Sequence, residues 1–374
     1  MMRVPITVFD LGPSMDSLAQ VAVITLYADA YHERSWSDVG TFEIRIDPRI
    51  KYADELLEGR LVMFGDVRKV GLIEEVTLTE DESGQSKVVI GHEAKILLDR
   101  RWIVPPAGLT HYYDSAAVEA VMKSLVSSQM GPTADADRIA PLLSIVASSN
   151  RGATYTLSSR YTNQLDELVK ASTATGVGFL LWLNLGTKKL VFDVGIGVDR
   201  TASQNVNPRA IFAKKFGSVK SLERKDAITN YRNLAIVAGQ GQGTARTVIT
   251  ATQEGATPTG LARRELFVDA RDLASADLPA RAAAKLAEKS QTSYLSGTVL
   301  AESSLILDRD YTLGDLVTVS GFDLSEDVRL TGIRESWSEG GYSIDHTFGG
   351  PYPTSQLADS VSELSASLQD SETP

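Results

Sequence analysis

Apolar and polar positions alternate over most of the first hundred residues, which is the period-two pattern of β-strands. Runs such as ITVFDL, AQVAVITLYADAY, TFEIRID and SKVVIGHE are separated by Gly, Asp and Ser, which favour turns. Gly71–Glu80 alternates up to a DESG turn and continues at Lys87–Gly91, the pattern of a β-hairpin. We therefore predict a first β-barrel or sandwich over residues 1–98.

The apolar spacing becomes helical in the next part of the chain. Ser115–Ser128 has apolar residues three and four positions apart, with Asp114 or Ser115 as the predicted N-cap. Asn163–Thr175 is a second amphipathic pattern, ended by a glycine and followed by an apolar strand with a hairpin partner. Residues 99–205 are predicted as an α+β peripheral domain.

A similar mixture follows in residues 206–294, which we predict as a second small α+β domain. Strand patterns at Asn230–Ala238 and Arg246–Thr252 flank a glycine-rich loop, which we interpret as a hairpin loop. Ala280–Gln291 has the strongest helix-forming composition in the chain. Strand patterning then returns in residues 295–350, a second β-barrel-like domain, before a helical or flexible tail at 351–374.

The two barrel-like segments share an internal repeat. Leu57–Glu75 and Leu313–Glu335 contain the same residue types in the same order. Each has a Leu, a Gly, a charged residue and Leu-Val, followed by a loop that contains Gly, and then Gly and Ile before a Glu. Glycine-closed turns follow, and then Ser86–Gly91 and Tyr342–Gly349, which both end in Gly. Either two antiparallel meanders share common turn residues, or one barrel has been duplicated. Fold class is predicted as β-rich, multidomain α+β, with two related β-barrel-like domains flanking two small α+β domains.

Amino-acid composition and net charge exclude several classes of function. With 43% hydrophobic and 23% charged residues, the 374-residue chain matches a folded protein of several domains. It has no cysteine, which removes disulfides and thiolate chemistry, and it contains no apolar run long enough for a signal core or a membrane span. A net charge of −11 without a basic cluster argues against sequence-specific nucleic-acid binding.

Catalytic motifs are absent from the sequence. Gly239–Gly243 (GQGQG) lacks the following Gly-Lys-Ser/Thr of a phosphate loop, and the four histidines have no zinc-ligand spacing. Carboxylate pairs at Glu74/Glu75, Asp135/Asp137 and Asp308/Asp310 are explained by solvated strand ends and turns. We expect no enzyme activity, no catalytic residue, no metal and no cofactor.

Two groups of residues are candidate contacts within an oligomer or with a partner. Leu357, Val361, Leu364 and Leu368 are spaced four, three and four, which fits a short coiled-coil seam or an amphipathic helix lying on its own domain. The second group comprises two cationic pairs, Arg263-Arg264 and Arg100-Arg101, as candidates for salt bridges between subunits. An ordinary solvated surface is the alternative interpretation for both pairs.

The sequence resembles the baseplate hub, or tail-associated hub, family of bacteriophages and contractile injection machines, which includes the siphovirus Gp37-like proteins. The resemblance runs end to end and is carried by GLIEEVTL with LLDRRWIVPP, NLAIVAGQGQGTAR with LARRELFVDARDL, and YTLGDLVTV with LTGIRE and IDHTFG. It implies a homotrimer whose two barrels per chain make a pseudo-six-fold ring around the path of DNA.

The resemblance also implies the partners and the location. They are a hexameric tail tube or distal tail ring protein, a distal spike, fibre or receptor-binding protein, and as a further candidate the tape measure protein. We expect no stable membrane insertion, assembly in the host cytoplasm, and a final place in the tail tip or baseplate of the virion. The alternatives are a tail-associated peptidoglycan hydrolase and a carbohydrate-binding receptor module that uses the aromatic residues Trp102, Tyr112, Tyr113 and Trp337.

Overall fold

The computed structural model describes residues 3–82, 84–253, 255–271, 275–289, 292–300 and 303–349. The chain divides into two compact units. Unit 1 comprises Met1–Leu222 and Ser296–Pro374, and unit 2 comprises Glu223–Leu295. The finer division into four domains and a tail stays a prediction.

The helices and strands follow in chain order. Those of the first half are β1 (Ile6–Asp10), β2 (Ala19–Ile24), β3 (Asp29–Ser35), β4 (Thr41–Ile46), β5 (Leu61–Phe64), β6 (Val70–Asp81), β7 (Gly84–Glu93), β8 (Tyr112–Ala117), α1 (Val118–Met130), β9 (Leu143–Ile145), β10 (Thr154–Ser159), α2 (Gln164–Thr175), β11 (Gly178–Asn184) and β12 (Lys189–Gly195). Those of the second half are β13 (Ile211–Ala213), β14 (Val219–Ala227), β15 (Leu234–Ala238), β16 (Val248–Thr252), β17 (Glu265–Asp269), α3 (Leu278–Glu288), β18 (Thr292–Val299), β19 (Leu316–Gly321), β20 (Leu324–Ser338) and β21 (Gly341–Gly349).

Thirteen strands join in one network, and this confirms the predicted β-rich α+β class. Its main path is β14-β18-β21-β20-β3-β4-β7-β6-β5-β1-β2, and β19 pairs with both β20 and β13. Smaller sheets are formed by β8 with β10, by β11-β12-β9 and by β16-β15-β17. The two segments predicted as barrel-like therefore belong to one continuous sheet, connected where β20 pairs with β3.

Two apolar cores lie in the N-terminal part of unit 1. One contains inward-facing residues of β1, β4, β5 and β7, such as Ile6, Phe42 and Val89, and includes Trp337 from β20. The other packs side chains of β1, β5 and β6 against α1, α2 and β11, so Leu72 and Phe179 share a single core. The predicted first barrel and the α+β segment after it are thus packed together, since both bury apolar surface in the same place.

Local signals explain α2 but not the start of α1. The side chain of Asn163 accepts hydrogen bonds from the backbone at the N-terminus of α2, and Gly176 ends this helix in the left-handed conformation, as the sequence predicts. The predicted N-cap of α1 at Asp114 or Ser115 is wrong, because both residues lie in β8. The Ser115 hydroxyl bonds to that of Thr156 on β10, so strand pairing replaces a helix cap here.

The run AQVAVITLYADAY is also two strands rather than one. Its first half, β2, pairs with β1, whereas its second half, β3, pairs with β4 and β20. Between them Tyr27 is buried and its hydroxyl donates a hydrogen bond to the carbonyl of Val4, 3.0 Å away. Burial of this side chain fixes the bend between the two strands.

Unit 2 is a three-stranded sheet with α3 on one face. β15 pairs antiparallel with β16 and parallel with β17, a strand that the pattern analysis missed. Ala235, Val237 and Val268 of the sheet pack against Leu278 and Leu286 of α3. The loop Gly239–Gly243 connects β15 to β16, which confirms its interpretation as a hairpin loop.

Trp36, immediately after β3, occupies a slot lined by glycines from distant parts of unit 1. A Cβ at Gly178, Gly195 or Gly314 would lie 2.3, 2.9 or 2.1 Å from atoms of the indole ring. The indole N–H donates a hydrogen bond to the carbonyl of Gly176, 3.0 Å away. Because only glycine leaves room for the ring, this side chain fixes how three segments approach one another.

We expect Gly314→Ala to destabilise the protein by about 2 to 4 kcal/mol, because the new methyl group would overlap the ring of Trp36 in addition to straining the backbone. Gly59→Ala is the matched control. Gly59 has φ +82 against +91 for Gly314, but nothing lies within 4 Å of the point where an alanine Cβ would stand. Urea unfolding of both variants measures the difference, and equal losses of stability would contradict the packing role of the slot.

Candidate functional site

The internal repeat corresponds to two antiparallel meanders, β5-β6-β7 and β19-β20-β21. In the first, Leu72 pairs with His92, and in the second, Ile333 pairs with His346. Each long hairpin closes on a glycine of nearly the same backbone angle, Gly84 with φ +122 and Gly341 with φ +120. The two segments thus share their strand order, the pairing at these positions and the φ of the closing glycine.

The register corrects one detail of the sequence alignment. If Gly71 corresponds to Gly332, then Gly91 corresponds to Asp345 and not to Gly349. The hairpins also differ in length, since β6 continues nine residues beyond Leu72, to Asp81, whereas β20 continues five beyond Ile333, to Ser338. The sequence match therefore extends over the paired bases of the hairpins but not to their ends.

A buried ionic cluster lies where β3 of the first half pairs with β20 of the second. Arg34 donates two hydrogen bonds to the carboxylate of Asp308, at 3.3 and 3.1 Å. Lys69 donates to Glu335 at 2.8 Å, and the Tyr342 hydroxyl donates to the same carboxylate at 2.7 Å. Further cross-contacts of 3.7 Å join Arg34 to Glu335 and Lys69 to Asp308, so the four charges form one closed network.

Within this cluster, burial and the neighbouring positive charges shift the pKa of Asp308 in opposite directions. Burial raises the pKa of Asp308, but the charge and hydrogen bonds of Arg34 and the charge of Lys69 outweigh it and hold that pKa below its ordinary value. Burial and the negative charge of Glu335, to which its hydroxyl donates, raise the pKa of Tyr342. Removing one member would leave a desolvated charge without its partner, so the cluster is sensitive to single substitutions.

Two histidines are buried on either side of this cluster. His32 pairs directly with Glu335 across the strands and packs on Phe64, while His346 lies among the rings of Phe212, Tyr311 and Phe348. The imidazole of His346 has no hydrogen-bond partner among the described residues. Burial, with a smaller effect of the Arg34 charge, lowers the pKa of His346 to about 3, so this side chain is neutral near pH 7.

The charged groups of the cluster bind one another. Its carboxylates are held by cations, its histidines are enclosed by rings, and Asp345, next to His346, accepts a hydrogen bond from Thr298. Among the residues that the structure describes, no group of three or more potential ligands could hold a metal ion. Within the same residues, no helix has the length and apolar character needed to cross a membrane.

Of the two groups of candidate contact residues named from the sequence, the structure describes one. Arg263 pairs with Glu265 on the surface of unit 2, and Arg264 donates to the carbonyl of Ile228 in the same unit. Leu357, Val361, Leu364 and Leu368 lie outside the described residues. The use of both groups as trimer or partner contacts stays a prediction.

Several other expectations need correction. Of the aromatic residues considered for carbohydrate binding, Trp102 and Tyr113 are exposed, but Tyr112 and Trp337 are each only 6% exposed. Tyr112 bonds to Ser124, and Trp337 stacks on Phe64, so neither can serve as a sugar platform. Asp308 is not a solvated turn residue, because it pairs with Arg34 in the buried cluster.

The ionic cluster itself was missed by pattern analysis. One signal was present in β3, where the alternation that buries Ala30 and His32 also places Arg34 on the inner face. A charged residue at a core position requires a partner, but its identity is not local information. Asp308 lies 274 residues after its partner Arg34 in the sequence, and Glu335 lies 266 residues after its partner Lys69.

Comparison with known proteins agrees with the sequence resemblance. The family described as Siphovirus ReqiPepy6 Gp37-like protein matches residues 5–350. The tail protein of Neisseria meningitidis MC58 has a similar fold, with TM-score 0.54 and 14% identity over 93% of this chain and 97% of that one. The 43 kDa tail protein of prophage MuSo2 from Shewanella oneidensis has TM-score 0.53 and 12% identity, covering 92% and 97%. A search of curated protein sequences finds no match.

We expect Glu335→Ala to cost about 3 to 5 kcal/mol of unfolding free energy, because Lys69 would lose its closest carboxylate in a buried site. Glu74→Ala is the control, since Glu74 is a glutamate of the first meander whose side chain is 39% exposed beside His92. That change should cost about 1 kcal/mol or less. Chemical denaturation at pH 7 compares them, and a small loss in both variants would show that the cluster contributes little.

The buried histidine predicts a specific pH dependence. Between about pH 6.5, where an exposed histidine titrates, and the folded pKa of about 3, the unfolded chain binds the proton that folded His346 does not. Stability therefore falls as the pH falls through this window. From pH 7 to pH 4.5, His346→Phe should reduce the loss of unfolding free energy by about 2 to 3 kcal/mol relative to the parent.

The matched control for this pH experiment is His111→Phe, which replaces an exposed histidine. It should leave the loss of stability between pH 7 and pH 4.5 close to that of the parent. If His346→Phe and the parent lose the same free energy over this range, His346 is not held neutral by the fold.

Proposed function

Because this chain belongs to the Siphovirus ReqiPepy6 Gp37-like family, we propose that it is the structural hub of a phage-type tail tip or baseplate. In this proposal three copies form a ring that joins the hexameric tail tube to a distal spike, fibre or receptor-binding apparatus. The hub acts through the contacts it makes and not through catalysis. Its place would be the tail tip or baseplate of the virion, after assembly in the host cytoplasm.

The observation that carries the proposal is the pair of matched meanders in one sheet. A chain with one such module would give a trimer three equivalent positions, whereas two related modules per chain give six. The common register at Leu72/His92 and Ile333/His346 supports treating the modules as equivalents. Three chains would then present a pseudo-six-fold surface to a tube of six identical subunits.

A hub of this kind needs the two modules of a chain in a fixed orientation. The pairing of β3 with β20, the ionic cluster around Arg34 and Glu335, and the glycine slot around Trp36 all act between the two halves of unit 1. If one module could move against the other, each ring position would be adjustable and the match to the tube would be lost. Rigid coupling of the modules therefore supports an adaptor role.

The overall charge suits a ring through which DNA passes. A net charge of −11 at pH 7 repels a phosphate backbone, so an acidic lumen would keep the duplex from adsorbing to the wall. Stable rings of this type are held by interfaces that bury on the order of 1,200 to 2,000 Å² or more. Arg263 and Arg264 remain our candidates for contacts of this kind.

We expect the purified chain to have a solution mass about three times its 40.4 kDa chain mass, and to appear as a ring with six lobes in negative stain viewed along its axis. Light scattering over a dilution series measures the mass. A ring of six chains would contradict the argument from duplication, because each chain would then supply only one position. A monomer at every concentration would contradict self-assembly of the hub.

A further inference from the structure

A cavity of about 330 Å³ in unit 1 is not explained by the hub proposal. Its walls are mostly apolar, with Leu11, Met15, Leu142 and Leu190 among the residues that line it. The volume is roughly twice that of an engineered apolar cavity, of about 150 Å³, that binds benzene. It can therefore hold an aliphatic side chain of a docked segment.

Three arginines stand at or beside this cavity without a carboxylate. Arg100 and Arg101 line it, and Arg138 adjoins them, since Arg101 donates to the carbonyl of Arg138 at 3.1 Å. Among the described residues, no acidic side chain comes within 4.0 Å of these three guanidinium groups. The hydrogen bonds of Arg101 are to the backbone carbonyls of Arg100 and Arg138, and its Nε is buried without any partner among the same residues.

Other arginines of this acidic chain do have acidic partners: on the open surface Arg49, Arg68 and Arg263 each lie against a carboxylate of the same chain. At the cavity, burial and, to a smaller extent, the charges of Arg138 and Arg100 lower the pKa of Arg101. The neighbouring positive charges therefore disfavour the charged form of Arg101. A carboxylate placed here would relieve that repulsion and satisfy the unpartnered donor.

The chain itself contains a segment of matching chemistry. Residues 351–374 carry four acidic residues and no basic one. Within them, Leu357, Val361 and Leu368 are each followed two positions later by a carboxylate, at Asp359, Glu363 and Asp370 respectively. In an extended chain, residues two apart point to the same side and lie about 6.5 to 7 Å apart. Each pair would thus present an apolar side chain beside an acid.

We propose that residues 355–370 dock at this cavity, with an apolar side chain inside it and the carboxylate two positions later on the arginines. A covalently attached segment acts at an effective concentration of order millimolar, so a modest intrinsic affinity is sufficient. The proposal takes the alternative in which the tail lies against the folded protein, and it replaces the coiled-coil seam. It does not depend on the ring, because the cavity lies within a single chain.

Site-specific disulfide trapping tests the proposal in the full-length protein, which has no cysteine of its own. One variant combines Ser14→Cys, at the mouth of the cavity, with Ser362→Cys in the tail. The control combines Ser86→Cys, on the exposed end of β7, with the same tail cysteine. After mild oxidation, mass spectrometry should find the cavity disulfide at least ten times more abundant than the control disulfide.

Charge substitutions then separate docking from chance contact. In the cavity variant, Asp359→Asn, Glu363→Gln and Asp370→Asn together should lower the disulfide yield at least fivefold, and so should Arg100→Gln. The tail substitutions change no residue of the cores described above, so their effect reports on docking and not on the packing of those cores. Equal disulfide yields at the cavity and at Ser86 would overturn the proposal. So would a cavity disulfide whose yield is unchanged by these charge substitutions.

The result is independent of the oligomeric state. A gel without reductant distinguishes a disulfide within one chain, which supports the proposal, from one between copies, which contradicts docking of the chain's own tail. A monomer with a charge-dependent cavity disulfide would contradict the hub but support the docking. A trimeric ring without that disulfide would support the hub and contradict the docking.

Discussion

The pairing of β3 with β20 is the constraint on which the rest of unit 1 depends. These strands lie about 300 residues apart in the chain, and their pairing places His32 and Arg34 beside Ile333 and Glu335 on a buried face. Once the strands pair, Arg34 and Glu335 cannot remain hydrated, and Asp308 and Lys69 are needed to compensate them. The ionic cluster is thus a consequence of the pairing, and it also selects the register, because a shift by one residue would bury the wrong side chains.

The same pairing explains why the fold is a single network instead of two independent barrels. Each meander alone has three strands, which is close to the minimum for stability in water. The strands β3 and β4 join them, since β3 pairs with β20 and β4 pairs with β7. Trp337 of the second meander also enters the core of the first. The slot around Trp36 adds a steric condition, because its glycine walls come from segments on either side of unit 2 in the sequence. Both meanders, and the α+β layer on the first, are then fixed by contacts that act together.

How much of this was predictable depends on whether the determining interaction is local. The hairpin of β6 and β7, the helix α2 with its Asn163 cap, and the loop Gly239–Gly243 follow from residues close in sequence, and these predictions are confirmed. The predicted start of α1 is wrong because pairing with β10 overrides a good helix cap. The cluster around Arg34 could be anticipated only as far as an unpaired charge at a core position, since its carboxylates come from the other end of the chain. The candidate contacts in the tail remain a matter for experiment.

The unequal hairpins have a consequence for symmetry. The arm of β6 and β7 is three residue pairs longer than that of β20 and β21, because Glu74 of β6 bulges out of the ladder. This difference is roughly 10 Å at the rise of a strand. Two related modules that differ in this way are distinguishable, because long and short arms would alternate around any ring made from three chains. A six-fold partner that contacts only the bases of the hairpins would have six equivalent binding positions, whereas one that contacts the tips would have three. The length of a single hairpin would thereby determine whether the next layer of an assembly has six-fold or three-fold symmetry.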